Sequence, residues 1–355
     1  MEKIFDVKLQ AGKQSSVYLG SNIKDLSEKL SSYGLNVFWV FDSNSAALFK
    51  TLPEKRVVLE SGEKFKNWSS MERIFSSALE YGLARDSVFI GFGGGVVCDM
   101  TALAASLYMR GARLVLVPTT LLCMVDASLG GKTAIDFEGG KNLIGTFYPA
   151  EDVIISADTL RTLPESEYLS GLGEVIKHAF LTKDDSLYNF LINNKDKILS
   201  RDKEVVSEMV RLSLEVKISF IERDPEEKKG IRSFLNLGHT FAHALESSTR
   251  FTGISHGKAV AWGCGRALET GLLLGITTKE LRDKGLRLLR LYGYDVDYRL
   301  PRGQWLDYYG AMLRDKKKVA GHIKFVLLKE QGEPVLSDVD SKTIQSVVIA
   351  APSLR

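Results

Sequence analysis

The sequence predicts an α/β chain in which a parallel-sheet region is followed by a mainly α-helical one. Three observations predict it. Up to about residue 158, short apolar runs rich in β-branched and aromatic residues alternate with helical patterns. The third of these runs ends in a glycine cluster that leads into a helix. From residue 159 onward the apolar spacing is helical for roughly 150 residues. The change divides the chain into 1–158 and 159–355, which suits two domains at about 150 residues each.

The expected strands are NVFWVF at 36–41, RVVLE at 56–60, SVFIGF at 87–92, RLVLVP at 113–118 and DVIIS at 152–156. Their near-continuous apolarity marks strands buried on both faces, as in a parallel sheet covered by helices. Between the second and third lies 67–82, where Met71, Ile74, Phe75, Ala78 and Leu79 recur at helical spacing. The cluster Gly91-Phe-Gly93-Gly94-Gly95-Val96-Val-Cys98-Asp99 then follows a strand and opens a helical run to Arg110. Glycines there let the backbone approach a diphosphate, and a helix N-terminus favours its negative charge. Because Val96 breaks G-x-G-x-x-G, a plain tight turn reads the pattern equally well. The segment GGKTAIDFEGGKNLIG at 130–145 is too glycine-rich to be expected as regular structure. Its Gly130-Gly131-Lys132-Thr133 fails as a P-loop, because Asp126 stands where the first glycine is required.

In the helical half, Val206, Met209, Val210, Leu214 and Ile218 form one apolar stripe between Lys203 and Ile221. Arg232 precedes Asn236 by one turn of the same expected helix, and HIKFVLL at 322–328 reads as a small strand. Lys+Arg 47 against Asp+Glu 44 leaves +3, too balanced for a dedicated nucleic-acid binder. The three cysteines, Cys98, Cys123 and Cys264, form no C-x-x-C pair. They exclude a disulfide framework and a cysteine-built zinc site, and suit a reducing cytosol. The start MEKIFDVKLQ lacks the apolar core of a signal peptide, and no apolar run approaches the roughly 18 residues of a membrane span. A cytoplasmic chain without nucleic-acid or membrane partners is expected.

Three of the five histidines fall close together. Asn236-Leu-Gly-His239-Thr-Phe-Ala-His243 sets two of them at i,i+4 on one helix face, and His256 follows on a turn entering the next helix. Earlier, Gly173-Glu174-Val-Ile-Lys177-His178 places a carboxylate and an amine one turn apart. A catalytic zinc asks for three N/O ligands and one open position. Glu174 with two of these histidines would supply them, and spacing leaves open which two. Packing or capping is the commoner role of clustered histidines. H-E-x-x-H is absent, which counts against a zincin protease. Lys132, Lys141 and Asn142 stand among glycines, where anchors for phosphate or carboxylate explain them better than solvated surface does. The sum points to metal-assisted hydride chemistry on a small anionic, phosphorylated polyol.

These residues resemble a known family. The succession GGGVVCD, YMRGARLVLVPTTLL, VDASLGGKTAID, GKNLIGTFYP, DTLRTLPESEY, GLGEVIKHA, NLGHTFAHALE and SHGKAV is similar to the 3-dehydroquinate synthases, in their order, from residue 42 to about 328. The resemblance implies a Rossmann-like NAD-binding domain, then a mainly helical metal- and substrate-binding domain, in a homodimer. It implies bound NAD and Zn2+ (or Co2+), and a sugar phosphate substrate, 3-deoxy-D-arabino-heptulosonate 7-phosphate. The implied reaction runs through transient oxidation, phosphate elimination, re-reduction and intramolecular aldol closure. Implied metal ligands are Glu174, His239 and His256, with His243 an active-site group rather than a ligand. Lys132, Lys177, Lys217, Arg232, Asn236 and His243 are the implied catalytic set. Lys141, Asn142, Lys316 and Lys317 match further substrate-holding positions, and Arg110 an arginine that reaches the neighbouring subunit's phosphate site. On the NAD side the matches are Asp42, Glu63, Lys66, Gly94, Gly95, Val96, Asp99, Thr119, Thr120, Asp126, Lys132, Lys141, Thr162, Leu163 and Glu167. Asp42 ends a strand, where an acidic residue favours a free ribose hydroxyl and hence NAD over NADP.

Cys98, Leu103, Asp136 and Lys258 depart from the family's usual residues, and none is an implied ligand. Three other readings compete. A sibling cyclase of the 2-deoxy-scyllo-inosose or valiolone type is countered by Arg232, Asn236 and His243 together. A polyol dehydrogenase needs no cradle of the Lys132, Lys141 and Asn142 kind. A non-catalytic NAD-binding protein would have no use for the complete set Glu174, His239 and His256.

Overall fold

A computed structural model describes residues 1–9, 12–20, 22–34, 36–249, 253–316 and 323–350. The chain divides into two compact units. The first holds Met1–Tyr168, Leu199–Leu214 and Ile221–Glu226; the second holds Leu169–Ile198, Glu215–Phe220 and Glu227–Arg355.

In chain order the first unit's strands are β1 (Glu2–Lys8), β2 (Gln14–Gly20), β3 (Val37–Asp42), β4 (Arg56–Leu59), β5 (Val88–Gly93), β6 (Arg113–Pro118), β7 (Lys132–Phe137), β8 (Gly140–Phe147) and β9 (Asp152–Ser156). Its early helices are α1 (Ile23–Ser31), α2 (Ser43–Ala46), α3 (Trp68–Glu80) and α4 (Gly95–Leu107). Seven strands form one sheet in the order β1-β2-β9-β6-β5-β3-β4. All neighbours pair in parallel except β1 with β2. Alternate residues Val88, Ile90, Phe92, Val115 and Val117 pack with Leu26 and Leu30 of α1 in one core cluster. The intervening Phe38, Val40, Phe89, Leu114 and Leu116 are buried as well. Both faces are thus covered, and continuous apolarity was the correct signal for the inner strands. β1 and β2 lie at the edge with mostly exposed or half-buried residues, so they carry no such signal.

The strand order reverses between β3 and β5, the switch point beyond whose carboxyl ends α/β sheets bind ligands. Asp42 ends one of these strands and Gly93 the other.

The segment 130–145 corrects its expectation. Instead of irregular chain, β7 and β8 form an antiparallel hairpin, with Lys132 opposite Phe147 and Phe137 opposite Gly140. Glu138 and Gly139 both turn through positive φ, 46° and 78°, as a two-residue hairpin turn requires. Gly145 is required inside the hairpin, because a Cβ there would lie 1.9 Å from the Thr133 carbonyl oxygen. The glycines build the hairpin; they do not interrupt it.

The remaining helices are α5 (Glu165–Leu181), α6 (Ser186–Asn193), α7 (Lys195–Leu199), α8 (Lys203–Arg223), α9 (His239–Ser248), α10 (His256–Leu273), α11 (Lys279–Leu291), α12 (Trp305–Lys316) and α13 (Ser341–Val348). The α8 stripe is buried at Val206, Met209, Val210, Leu214 and Ile218. Arg232 to Asn236 form a short 3-10 turn of their own, which corrects the expected common helix. The late strand is half of a hairpin, β10 (Lys324–Glu330) with β11 (Glu333–Asp338). The polar, proline-containing β11 escaped notice because only β10 has a buried apolar run. His322 and Lys317 lie outside the described residues. No described helix is long and apolar enough to cross a membrane.

Candidate metal centre and cofactor turn

Each implied ligand stands beside a glycine, and the glycines explain how three separate helices converge. Gly173 precedes Glu174 on α5, and a Cβ there would fall 2.2 Å from the Gly257 carbonyl oxygen. Gly257 follows His256, and its Cβ would fall 1.7 Å from the Ser170 carbonyl oxygen. These two approaches bring α5 and the first turn of α10 together backbone to backbone, and the Gly257 N–H also donates to Ser170 Oγ at 3.0 Å. Gly238 precedes His239 in a left-handed conformation, φ +79°, and a Cβ there would lie 2.5 Å from Cys264 N. No other residue type permits these approaches.

The result is a compact donor set. Glu174 Oε1 lies 3.5 Å from His239 Nε2 and 3.5 Å from His256 Nε2. The three ligand atoms fall within 4.8 Å of one another. Metal–nitrogen bonds of about 2.0–2.1 Å in a tetrahedron separate neighbouring ligand atoms by about 3.4 Å, so these side chains fit a zinc-type cation. His239 Nδ1 faces the Leu237 carbonyl oxygen at 3.3 Å, and His256 Nδ1 faces Glu246 Oε1 at 3.3 Å. Donation from each Nδ1–H would leave Nε2 as the atom that offers a lone pair to a cation bound at the shared point.

Burial opposes charge on Glu174, but Lys177, His239 and His256 outweigh it and hold its carboxyl well below the usual range. Lys177 Nζ contacts Glu174 Oε2, and both side chains are fully enclosed. Burial also pushes His239 down to about 3, despite Glu174. For His256 the burial effect is overcome by the Glu174 and Glu246 carboxylates, which push it up to about 10. Burial raises the nearby Cys264 thiol well above its ordinary value.

His243, one turn after His239, has its ring centroid 5.4 Å from that of His239 and 6.2 Å from that of His256. It shares a second possible grouping with Glu246 and His256. Glu246 was not singled out in the sequence, although His239, His243 and Glu246 stand at i, i+4 and i+7, a spacing that lines one helix face. Lys217 and Arg232 are buried in the same unit, Arg232 Nε lying 3.9 Å from Glu227 Oε2. Asn236 is exposed at the end of its 3-10 turn, and Lys316 is the last residue of α12.

In the first unit, Gly94 caps α4 with no side-chain hydrogen bond, leaving the helix N–H groups open. A Cβ on Gly93 would meet Val97 at 2.7 Å, and one on Gly94 would approach Thr120 to 3.1 Å. Val96 is half-buried in the first turn of α4, and Thr119 and Thr120 follow β6 beside β5. A cradle shaped by absent side chains above an uncapped helix fits a dinucleotide diphosphate. Asp42 is partly committed already, since its Oδ1 accepts from Ser45 N at 2.7 Å in a capping box.

Lys66 joins two groups that the sequence assigned separately. Its Nζ donates to Asp99 Oδ2 at 2.6 Å and to Asn142 Oδ1 at 2.5 Å. Asp136, one of the departures from the family, accepts from Asn142 N at 2.8 Å and so fixes the hairpin loop. Burial raises the Asp99 carboxyl, and Lys66 opposes that rise. Glu63 lies exposed in the 3-10 turn before Lys66, and Asp126 sits in a π-helical turn, Cys123–Ala127. Lys132 and Lys141 are exposed on the hairpin. Thr162 ends a 3-10 turn that Leu163 caps, and Glu167 is exposed at the start of α5. Arg110 is exposed, with left-handed backbone at φ 66° following Met109 at φ 47°.

The chain is 39% identical over 288 residues to a 3-dehydroquinate synthase of Francisella tularensis, covering 81% of this chain and 79% of that protein. It is 38% identical over 361 residues to a bifunctional 3-dehydroquinate synthase/phosphatase of Fusobacterium nucleatum, covering 98% of this chain but only 52% of that longer protein. A solved 2-deoxy-scyllo-inosose synthase, complexed with carbaglucose-6-phosphate, NAD+ and Co2+, shares the fold at TM-score 0.84 and 23% identity, over 97% of this chain and 98% of that one. The family patterns for the 3-dehydroquinate synthase N-terminal and C-terminal regions match residues 56–170 and 171–318 in succession, and the chain therefore belongs to the 3-dehydroquinate synthase family.

Proposed function

We propose that this enzyme converts 3-deoxy-D-arabino-heptulosonate 7-phosphate into 3-dehydroquinate and inorganic phosphate, using NAD that is restored in every turnover. The observation that carries the reading is the convergence of Glu174, His239 and His256 in a chain of this family. When bound, the cation supplies a Lewis acid and NAD a reversible hydride acceptor.

The residues' own tasks follow from their positions. Glu174, His239 and His256 hold the cation, and the Lys177 ammonium keeps Glu174 ionised in a fully buried setting. The N-terminus of α4, with Gly94, Gly95 and Val96, takes the NAD diphosphate, while Asp42 and Glu63 serve the ribose side. Asp99 and Lys66 brace that turn through their ion pair. Thr119, Thr120, Asp126, Thr162, Leu163 and Glu167 complete the proposed cofactor contacts. Lys132, Lys141 and Asn142 serve the departing phosphate and the adjoining cofactor. Lys177, Lys217, Arg232, Asn236, His243, Lys316 and Lys317 hold the remaining polar groups of the sugar. Positioning is their main contribution, because an oriented leaving group needs little further help.

The proposed division of labour is 1–158 for NAD and 159–355 for metal and substrate. The enzyme is proposed to work in the cytoplasm as a homodimer, with Arg110 reaching the partner's phosphate site. Exposure of Arg110 and two successive left-handed non-glycine residues support that role, since such backbone persists where surroundings or function demand it. The test tracks phosphate and reduced cofactor together, with substoichiometric NAD and added Zn2+ or Co2+. Phosphate release over many turnovers without accumulating NADH is expected. Phosphate release that stops once it equals the NAD supplied, with an equal amount of NADH formed, would overturn the reading.

A further inference from the structure

Glu246 lies on α9, seven residues after His239, and its side chain is nearly enclosed. Both carboxylate oxygens face His256 Nδ1, at 3.3 and 3.4 Å. The opposite nitrogen of the same ring, Nε2, faces Glu174 Oε1 at 3.5 Å. His239 has the corresponding arrangement with a neutral acceptor, its Nδ1 facing the Leu237 carbonyl oxygen. The two rings are therefore oriented from behind by different groups, one by backbone and one by a carboxylate from the helix that starts with His239.

We propose that Glu246 is a positioning residue for the cation site, accepting from His256 Nδ1–H so that Nε2 presents its lone pair to the cation. The inference rests on the ligand assignment made above and adds a residue to it. A carboxylate fixes both the tautomer and the ring plane and raises the donor strength of the imidazole. It also couples two ligands mechanically. His239 and Glu246 belong to one helix, so a displacement of α9 moves one ligand directly and the other through its acceptor. Burying a carboxylate is costly without a compensating partner, and the Nδ1–H is such a partner.

The test is titration of the cation-free full-length enzyme with Co2+ against a competing chelator, following the visible absorption of the bound ion. Glu246→Ala is expected to bind one Co2+ about 10–100-fold more weakly than wild type, with an altered spectrum. Glu246→Gln, whose amide oxygen can still accept from Nδ1–H, is expected to recover most of the affinity. If Glu246→Ala does not fold, Glu246→Met removes the acceptor at similar volume and takes its place. Wild-type affinity in the variant without an acceptor would overturn the proposal. So would a Glu246→Gln variant as weak as Glu246→Ala, because the acceptor would then not be the active feature. Two Co2+ per wild-type chain and one per Glu246→Ala chain would also overturn it, making Glu246 a ligand of a second ion with His243 and His256. His239→Ala is titrated alongside. Normal Co2+ binding there would defeat the ligand assignment itself, whereas weak binding there with normal binding in Glu246→Ala would defeat this inference alone.

Discussion

At the scale of single residues, three histidines of one type acquire three environments. His239 is enclosed and faces a backbone carbonyl; His256 is wedged between two carboxylates; His243 stands beside both on the same helix face as His239. Sequence spacing offered all three as equals, and only the resemblance separated them. The distinguishing contacts come from Leu237, Glu174 and Glu246; Glu174 shows helical spacing with Lys177 and Glu246 with the two histidines of α9, whereas Leu237 shows none. The assignment makes two substitutions diverge. His239→Ala removes a ligand, so cation affinity should fall by more than the roughly 10–100-fold caused by losing an orienting partner. His243→Ala should retain one cation per chain while losing phosphate release. Metal content after gel filtration, read beside activity, checks both. Stoichiometric cation in His239→Ala, or its loss in His243→Ala, would reverse their roles.

At the scale of elements, inner strands were legible because burial on both faces leaves unbroken apolar runs. The antiparallel pair β1–β2 at one end of the sheet and the hairpin β7–β8 were not, because their exposed or glycine-rich residues resemble loop. Gly139 and Gly145 show why glycine counts mislead: one turns the hairpin and the other admits the opposing backbone. The glycines of the metal centre behave likewise, which gives a paired prediction. Gly257→Ala inserts a methyl group where only 1.7 Å separates it from the Ser170 carbonyl oxygen. Backbone must move, so stability should fall by about 3 kcal/mol or more, and cation affinity should fall with it. Gly310 sits inside α12, where a Cβ meets only the end of Arg314 at 3.5 Å. Gly310→Ala should stabilise by about 0.5–1 kcal/mol through helix propensity and leave cation affinity unchanged. Denaturant unfolding of the cation-free proteins measures both. Equal shifts in the two variants would show that glycine at 257 is not a packing requirement.

At the scale of the whole molecule, the balanced charge of +3 gives no hint of a phosphorylated substrate. The informative quantity is local: Lys132 and Lys141 lie along one exposed hairpin, while Lys177, Lys217 and Arg232 are buried in the other unit. Burying three cations is unfavourable unless carboxylates or a ligand offset it, and Glu174 and Glu227 supply part of that offset. The glycine turn belongs to the first unit and the cation donors to the second. Ligands that bind only the folded chain stabilise it by about 2.7 kcal/mol at one hundred times their dissociation constant. Chelation should therefore lower the unfolding temperature of wild type, and NAD should raise it. In His239→Ala the chelator should have no effect, because the donor set is broken, while NAD should still raise the transition through the intact α4 turn. Scanning calorimetry with each ligand added separately decides the matter. Loss of the NAD response in His239→Ala would mean that the two ligands do not occupy independently formed sites, and chelator sensitivity persisting there would place the cation elsewhere.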